Sequence, residues 1–314
     1  MSTQNVSRRE AWIIAARPQT LPAAIAPVVV GTGLALHDGV FAPLPVVAAL
    51  VGAVLIQIGT NFANDYYDAI KGADTAAREG FTRVTAGGLI DPGEVKRAMY
   101  LTFAASILVG AYLVWVGGVP ILVIGLLSVV SGIAYTGGPY PLGYHGLGDL
   151  FVFVFFGLVA VTGTYYVQAA AALPVGPFPT GVPPGTLPLD AVLASLPIAA
   201  VSTAILVVNN VRDREEDATT GKRTLAVRFG GGFARGEYVA LLALAYLVPP
   251  VLLLVRGFGP AVLLPLVTLP YAALVARTVV TESTGEALNP ALERTGKLLA
   301  GYAVLFAAGL ALAA

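Results

Sequence analysis

Two acidic stretches of the chain carry the side chains best suited to chemistry. Each one directly follows an apolar run that is long enough to cross a membrane. Carboxylates at the edge of a membrane are unfavourable in free energy unless a positive group binds to them. Residues three and four apart share a helix face, so each stretch would present its oxygens together. These side chains are Asn64, Asp65, Asp68 and Asp74 in the first stretch and Asn210, Asp213 and Asp217 in the second.

Arrays of oxygen ligands without nitrogen or sulfur suit hard cations. Mg²⁺ is the leading candidate because it prefers carboxylate oxygens and shares its shell with phosphate. The two arrays could together hold two or more Mg²⁺ ions around a diphosphate group. The alternative is a pair of acidic helix ends neutralised by neighbouring lysines and arginines, but the same residue types recur in both stretches, which favours the metal site.

Basic residues lie near both stretches. Lys71 and Arg83 follow the first stretch, and Arg212, Lys222 and Arg223 surround the second. Ammonium and guanidinium groups would bind diphosphate oxygens, and arginine can do so through two N–H groups at once. No strand or glycine-rich spacing precedes Lys222, so its segment is not a P-loop.

A third connection, residues 135–149, contains no lysine or arginine and is rich in glycine and aromatic residues. Its three tyrosines, one histidine and one aspartate could line a pocket for an aromatic substrate: Tyr135, Tyr140, Tyr144, His145 and Asp149. Alternatively, the tyrosines lie at headgroup depth, as interfacial tyrosines do. Asp149 opens an apolar segment and could instead be a helix N-cap.

The composition shows what kind of scaffold must position these residues. Of 314 residues, 57% are hydrophobic and 11% are charged, against about 25% charged in soluble domains. With a mean hydropathy of +0.81, the chain is predicted to be an all-α integral membrane protein. The formal net charge of zero predicts no nucleic-acid partner, and the absence of cysteine excludes thiolate chemistry.

Nine apolar runs predict nine transmembrane helices. They fall at about 20–36, 44–63, 98–116, 118–136, 149–172, 189–209, 237–255, 258–280 and 297–313. The weakest divisions are at Gly117-Gly118 and at residues 256–259.

The N-terminal segment loosely imitates a signal peptide, since Arg8 and Arg9 precede an apolar stretch. However, Arg17 and Pro18 interrupt its early part, and the apolar run continues to Leu36. We interpret it as a retained first span. Arg17 is then either a topology anchor or a further phosphate contact.

The basic residues predict the topology. With nine spans, 17 of the 18 lysines and arginines fall on one side of the membrane, and Arg256 alone falls on the other. The positive-inside rule then predicts a multi-pass protein of the cell membrane with a cytoplasmic N-terminus, cytoplasmic active-site loops and an outside C-terminus.

A weak internal repeat relates the two acidic stretches. Adding 145 to Asn64 and Asp68 gives Asn209 and Asp213. We expect a single membrane domain with two pseudo-repeated four-helix units, about residues 17–148 and 149–280, followed by the ninth helix. Two facing units would bring the acidic stretches together across a central cavity.

A membrane cavity with diphosphate chemistry at its mouth indicates a lipid diphosphate donor. Loss of diphosphate from an allylic carbon leaves a carbocation, which an electron-rich acceptor captures where water is excluded. Tyr135 could stabilise this cation through its ring face.

The motifs resemble those of the UbiA superfamily of intramembrane aromatic prenyltransferases. The two Asp-rich motifs of that superfamily correspond to residues 64–74 and 210–217, and residues 17–24, 137–149 and 221–225 are similar to its branch that prenylates 1,4-dihydroxy-2-naphthoate in menaquinone synthesis. The resemblance implies a nine-helix fold, Mg²⁺ dependence, a polyprenyl diphosphate donor, and release of diphosphate and, in this branch, CO₂. Many members place a lysine four residues after a tyrosine; here Tyr135 is present but Pro139 stands in the lysine position, so Lys222 or Arg223 could substitute.

Two alternatives stay open at this point. The first is a sister enzyme with another acceptor, such as homogentisate, 4-hydroxybenzoate or a glycerol-phosphate lipid. The second is a secondary transporter, although a transporter would be expected to place its ionisable residues near the bilayer midplane.

Overall fold

The computed structural model describes residues 6–71 and 83–313, and the regular secondary structure in these ranges is entirely helical. The helices are α1 Arg8–Ala16, α2 Leu21–His37, α3 Pro43–Ile70, α4 Pro92–Ala134, α5 Gly148–Val152, α6 Ala160–Ala172, α7 Leu189–Arg212, α8 Arg214–Thr219, α9 Leu225–Phe229, α10 Gly231–Arg256, α11 Leu269–Thr281 and α12 Gly285–Leu312. Short 3₁₀ segments lie at Pro18–Thr20, Leu142–His145 and Pro260–Thr268, and a π-helical segment, Phe153–Val159, joins α5 to α6. Asp74 lies outside the described residues.

The helices are long and apolar enough to form a multi-pass membrane protein, as the composition predicts. Within the described ranges, eight helical segments have the length and hydropathy of a membrane span. The sequence predicts nine. The difference arises within α4, which has 43 residues and covers two of the predicted spans.

Helix α4 folds back on itself at Gly118. This residue has φ 64° and ψ −149°, a conformation that is essentially restricted to glycine. A Cβ at Gly132 would lie 3.5 Å from Cζ of Phe103, yet a straight helix would separate these residues by about 43 Å. The two arms of α4 therefore run antiparallel, which supports the predicted division at this point, while the count of nine spans stays a prediction.

The tip of this hairpin is bound to the connection between α6 and α7. The amide of Val119 donates to the carbonyl of Pro179, the amide of Phe178 donates to the carbonyl of Trp115, and Tyr166 donates to the carbonyl of Gly117. A side chain at Gly118 would overlap Pro179. The α4 hairpin is thus fixed at the end opposite to the acidic residues.

The largest core cluster combines helices from the beginning, middle and end of the chain. Leu34 of α2, Val201 of α7, Leu252 of α10 and Phe306 of α12 are all fully buried within it. Because lipid tails are as apolar as these side chains, close packing rather than exclusion from water holds such helices together. The predicted division into repeat halves remains a prediction.

A cavity of about 580 Å³ lies beside this core, a volume typical of a small-molecule site. Its described lining residues all fall between Ala23 and Val167, on α2, α3, both arms of α4 and the α5–α6 segment. Most of the wall is aliphatic or aromatic. Asn61, Asn64 and Tyr135 line its polar part, which places the first acidic stretch beside an apolar chamber.

Candidate active site

Asn64, Asp65 and Asp68 of the first acidic stretch lie in the last two turns of α3. Asp65 and Asp68 are 1% and 2% exposed, although they follow an apolar run. Buried carboxylates of this kind need positive or hydrogen-bonding partners. Their partners come from three separate parts of the chain.

Asp65 is bound from the connection that precedes α4. The amide and the hydroxyl of Thr85 donate to its Oδ2 at 3.3 and 3.0 Å. Its Oδ1 has no hydrogen-bond partner among the described residues and lies 3.9 Å from Nη2 of Arg17. Arg17, one of the predicted phosphate contacts, is thereby placed at the first stretch.

Among the described residues, Asp68 accepts hydrogen bonds from two side chains. Nη2 of Arg83 donates to its Oδ2 at 3.2 Å, and the hydroxyl of Tyr144 donates to its Oδ1 at 2.8 Å. Asn64, one turn earlier, accepts a hydrogen bond of 3.0 Å from the hydroxyl of Thr136. The structure therefore brings the predicted charge partner Arg83 to the predicted carboxylate.

The second acidic stretch begins where α7 ends. Asp213 accepts two hydrogen bonds from its neighbour Arg212, 2.6 Å from Nε to Oδ1 and 2.8 Å from Nη2 to Oδ2. The guanidinium also donates to Asn209 at 2.7 Å and to Asn289 of α12 at 2.9 Å. Asp217, on α8, lies 3.8 Å from Nζ of Lys222.

Tyr144 lies between the two stretches. Lys71, next to the first stretch, and Lys222, next to the second, stand over its ring at 5.1 and 5.0 Å from the centroid. Both distances are within cation–π range. Its hydroxyl binds Asp68, while its backbone carbonyl accepts from the amide of Arg223 at 2.8 Å. The two stretches, 145 residues apart in sequence, thus meet around one aromatic side chain.

Tyr135 also lies between them and faces the cavity. Burial raises the pKa of its hydroxyl well above the ordinary value, and the carboxylates of Asp149, Asp68 and Asp217 raise it further. The phenol thus remains protonated and neutral. Its ring is suitably placed for the predicted contact with a cation.

Asp149 is buried in the first turn of α5. Its Oδ1 accepts a hydrogen bond of 3.4 Å from the side-chain amide of Asn210. The N-cap position of α5 is occupied by Leu147, so the interpretation of Asp149 as a helix cap is wrong. The contact with Asn210 instead links the third connection to the second acidic stretch.

Three of the predicted substrate contacts are not among the described lining of the large cavity. Tyr140 is 58% exposed and stacks on His145, with ring centroids 3.7 Å apart, and neither residue is among the described lining of the large cavity. Arg223 is exposed. The substrate-binding roles of these three residues remain predictions.

The donor set fits a hard cation, although no metal cluster is preassembled. Among residues 6–71 and 83–313, no group of three acidic or histidine side chains is arranged to hold a metal. Instead, Asp68, Asp213 and Asp217 each face a basic side chain. Oδ1 of Asp65, buried and without a hydrogen bond in the described part of the chain, is an oxygen that Mg²⁺ would accept as a ligand.

Several site residues were not predicted from the sequence. Thr85, Thr136 and Asn289 are ordinary residues of loops or helix ends, and no local pattern marks them. Two others carry a signal: Gln57 and Asn61 are polar residues inside an apolar span, on the same helix face as Asn64. Buried polar residues in such a position are a functional indicator in membrane helices.

Comparison with known proteins places this arrangement in a family. The UbiA prenyltransferase family matches residues 24–299, which is most of the chain. The chain belongs to the UbiA prenyltransferase family.

Curated UbiA relatives match at nearly full length. The 1,4-dihydroxy-2-naphthoate octaprenyltransferase of Escherichia coli K12 is 40% identical over 306 residues, covering 95% of this chain and 94% of the relative. The protein of the same name from Mycobacterium tuberculosis H37Rv is 38% identical over 302 residues, covering 96% of each.

The fold agrees with solved UbiA structures. A UbiA homologue from Archaeoglobus fulgidus bound to GPP and Mg²⁺ superposes with a TM-score of 0.61 at 15% identity, covering 94% of this chain and 99% of that one. This likeness confirms the all-helical membrane architecture. The family membership makes the chain a prenyltransferase.

Proposed function

We propose that this enzyme transfers a polyprenyl group from polyprenyl diphosphate to 1,4-dihydroxy-2-naphthoate. The observation that carries the proposal is the meeting of the two acidic stretches around Tyr144 and Tyr135, beside an apolar cavity of about 580 Å³. A site of this kind accommodates an anionic head and a hydrocarbon tail together. The names of the curated relatives support the choice of acceptor.

The diphosphate would bind at the acidic mouth with Mg²⁺. Asp65, Asp68, Asp213 and Asp217, with Asn64 and Asn210, are the proposed ligands, and Asp74 belongs to the same predicted set. When bound, Mg²⁺ supplies Lewis-acid stabilisation of the negative charge that develops on the leaving diphosphate. Lys71, Arg83, Lys222 and Arg17 would add positive charge around the same group, in keeping with the short distances from Arg83 and Lys222 to carboxylates.

The reaction breaks the bond between the allylic C1 and the diphosphate oxygen, and the electron pair leaves with diphosphate. The cation at C1 is then attacked by the ring carbon that carries the carboxylate. A new carbon–carbon bond forms, the bond to the carboxylate breaks, and CO₂ departs as its electron pair restores the aromatic ring. Tyr135 would face the cation with its ring, and the apolar walls would exclude water from it.

The orientation in the membrane is also proposed. The charge distribution supports a cytoplasmic N-terminus and active site, and an outside C-terminus, in a cell membrane. Lys222, which stands over the ring of Tyr144, or Arg223 would take the role of the lysine that Pro139 replaces.

Prenyl transfer by the purified protein tests the proposal. We expect Mg²⁺-dependent conversion of 1,4-dihydroxy-2-naphthoate, and a loss of at least about a hundredfold in Asp68→Ala and Asp213→Ala, because each removes a ligand of the diphosphate–metal group. Asp190→Ala is the matched control, since Asp190 pairs with Arg256 at the other end of the helices. Near-normal activity in either site variant, or better turnover of homogentisate or 4-hydroxybenzoate, would contradict the assignment.

A further inference from the structure

Arg17, where α1 ends, has a backbone conformation that arginine rarely adopts. Its φ is 52° and its ψ is 67°, which lie in the left-handed region. Within the described ranges, Phe178 is the other non-glycine residue with a positive φ. A side chain with a Cβ is sterically unfavourable in this region, so such residues persist only where their surroundings hold them. Contacts around the backbone of Arg17 must therefore maintain its conformation.

Hydrogen bonds fix both of the peptide groups that flank Arg17. The carbonyl of the first group belongs to Ala16 and accepts a hydrogen bond of 2.9 Å from Nδ2 of Asn61. The carbonyl of the second group belongs to Arg17 and accepts from the amide and from the hydroxyl of Thr20, both at 2.9 Å. Because φ and ψ describe how these two planar groups are rotated about the Cα atom, the three bonds together hold the left-handed conformation.

Asn61 of α3 acts on both of these peptide groups. Its Nδ2 donates to the hydroxyl oxygen of Thr20 at 2.9 Å as well as to the carbonyl of Ala16. A backbone carbonyl can only accept, so the NH₂ end of the amide must face this site, and both of its hydrogens are used there. Asn61 is 3% exposed and lies one turn before Asp65 on α3.

The conformation of Arg17 decides where its side chain goes. Nη2 lies 3.9 Å from Oδ1 of Asp65, the carboxylate oxygen that has no hydrogen bond among the described residues. If the backbone of Arg17 relaxed to an ordinary helical conformation, its Cα–Cβ bond would turn and the guanidinium would move away from Asp65. Helix α3 thus carries, one turn apart, an amide that fixes the backbone of Arg17 and a carboxylate that its guanidinium approaches.

We infer that Asn61 is a positioning residue, which holds Arg17 in its left-handed conformation and so keeps the guanidinium at the diphosphate site beside Asp65. This inference rests on the proposed function, in which Arg17 adds positive charge around the diphosphate. Asn61 acts on the donor through Arg17 and not by contact with it. Its effect should therefore be confined to the binding of the diphosphate end of the donor.

Steady-state kinetics of Asn61→Leu and Thr20→Val test this role. The KM for polyprenyl diphosphate should rise about tenfold in Asn61→Leu and about threefold in Thr20→Val, while the KM for 1,4-dihydroxy-2-naphthoate stays within about twofold. Thr20→Val carries the test if Asn61→Leu does not fold. An unchanged donor KM, or equal changes in both KM values, would overturn the inference.

A double-mutant cycle separates action through Arg17 from a direct contact with substrate. Arg17→Gln alone should raise the donor KM about tenfold, because it removes the guanidinium from the diphosphate site. Adding Asn61→Leu to Arg17→Gln should then change the donor KM by less than about twofold. A further tenfold rise in the double variant would mean that Asn61 acts independently of Arg17, and the inference would be wrong.

Melting temperatures of the protein without ligands give a measurement that needs no catalysis. Arg17→Gly and Arg17→Ala both lack the guanidinium, but glycine adopts a positive φ freely and alanine does not. Arg17→Gly should therefore melt roughly 2 °C or more above Arg17→Ala. In the Asn61→Leu background this difference should disappear, since the backbone is no longer held. Equal melting temperatures in the first pair, or the same difference in both backgrounds, would refute the role of Asn61.

Gln168→Leu is the matched control. Gln168 of α6 is fully buried, and its Nε2 also donates to a backbone carbonyl, that of Thr164, at 2.9 Å. Its replacement should leave both KM values within about twofold of wild type, because this amide holds no substrate contact in place. A rise in donor KM equal to that of Asn61→Leu would show that the loss of any buried amide has this effect, and the inference would fall.

The proposed function can fail separately. If wild type transfers no prenyl group to 1,4-dihydroxy-2-naphthoate, the proposed function is refuted. The melting temperatures of the ligand-free variants would still decide whether Asn61 holds the backbone of Arg17.

Discussion

The two acidic stretches have similar residues but obtain their positive charge in different ways. In the first stretch, Asp68 pairs with Arg83 from a separate connection and with Tyr144 from another. In the second, Asp213 pairs with the residue directly before it, Arg212. The first stretch is thus neutralised by residues from distant parts of the chain, whereas Asp213 in the second is neutralised by its neighbour at the end of α7.

This difference assigns different tasks to the two arginines. The side chain of Arg212 is 1% exposed and also binds Asn289, so it connects α7 to α12 as well as neutralising Asp213. The side chain of Arg83 is 11% exposed and reaches the first stretch from outside α3. We therefore expect Arg212 to matter for folding and Arg83 to matter mainly for ligand binding.

The largest loss of stability and activity should come from Arg212→Leu. It leaves the Asp213 carboxylate buried without its guanidinium, a change that costs about 3–5 kcal/mol in buried ion pairs. We expect a much lower melting temperature in detergent and loss of prenyl transfer. Arg83→Leu should instead keep most of the stability, because Tyr144 still binds Asp68, and should raise the KM for polyprenyl diphosphate.

Thermal unfolding of both variants, followed with and without Mg²⁺ and prenyl diphosphate, checks this contrast. Arg83→Leu should also gain less stability from the ligands than wild type does. If the two variants lose equal stability, the distinction between a structural and a binding arginine is wrong.

A smaller effect is expected from Tyr144→Phe. The variant keeps the ring beneath Lys71 and Lys222 but loses the hydroxyl that binds Asp68, a loss of about 1 kcal/mol or roughly fivefold in kcat/KM. Tyr238→Phe removes a buried hydroxyl that bonds to Thr295 away from the site and serves as the control. Equal activity losses in both variants would mean that Tyr144 acts only through general stability.

The smallest effect is expected from Arg256→Gln. Arg256 bonds to Asp190 at 2.5 Å, but this pair is partly exposed and lies far from both acidic stretches. Exposed pairs contribute about 0–1 kcal/mol, so activity should stay within twofold of wild type and the melting temperature should change little. A large loss of activity would show that the far end of the bundle influences the site. The partners of the two acidic stretches would then not be enough to explain activity.

The fold was predictable because hydropathy alone decides most of it. Runs of about 20 apolar residues can only be helical in a bilayer, and the structure has helices over each predicted run. The exact boundaries between the helices were harder to predict, because a glycine pair such as Gly117-Gly118 is compatible with either a continuous, flexible helix or a turn. Its backbone conformation depends on Pro179, some 60 residues away.

The site was predictable where charge interrupts an apolar run. Asp65, Asp68, Asp213 and Asp217 stand out because carboxylates are rare there, and all four are buried at the place where the stretches meet. Their partners were harder to predict, since Thr85 and Asn289 acquire a role only through tertiary contact. The aromatic loop shows the same limit: Tyr144 and Tyr135 face the carboxylates, whereas Tyr140 faces outward.

The glycine at the tip of the α4 hairpin has a consequence for the evolution of the cavity. No other residue fits at Gly118 without displacing Pro179, so selection should hold this position fixed. Leu122 and Leu126, one and two turns further on, line the cavity and are 38% and 53% exposed, so they are free to vary in size. A lineage could therefore adapt the chamber to longer or shorter prenyl chains through these leucines while the tip of the hairpin stays unchanged.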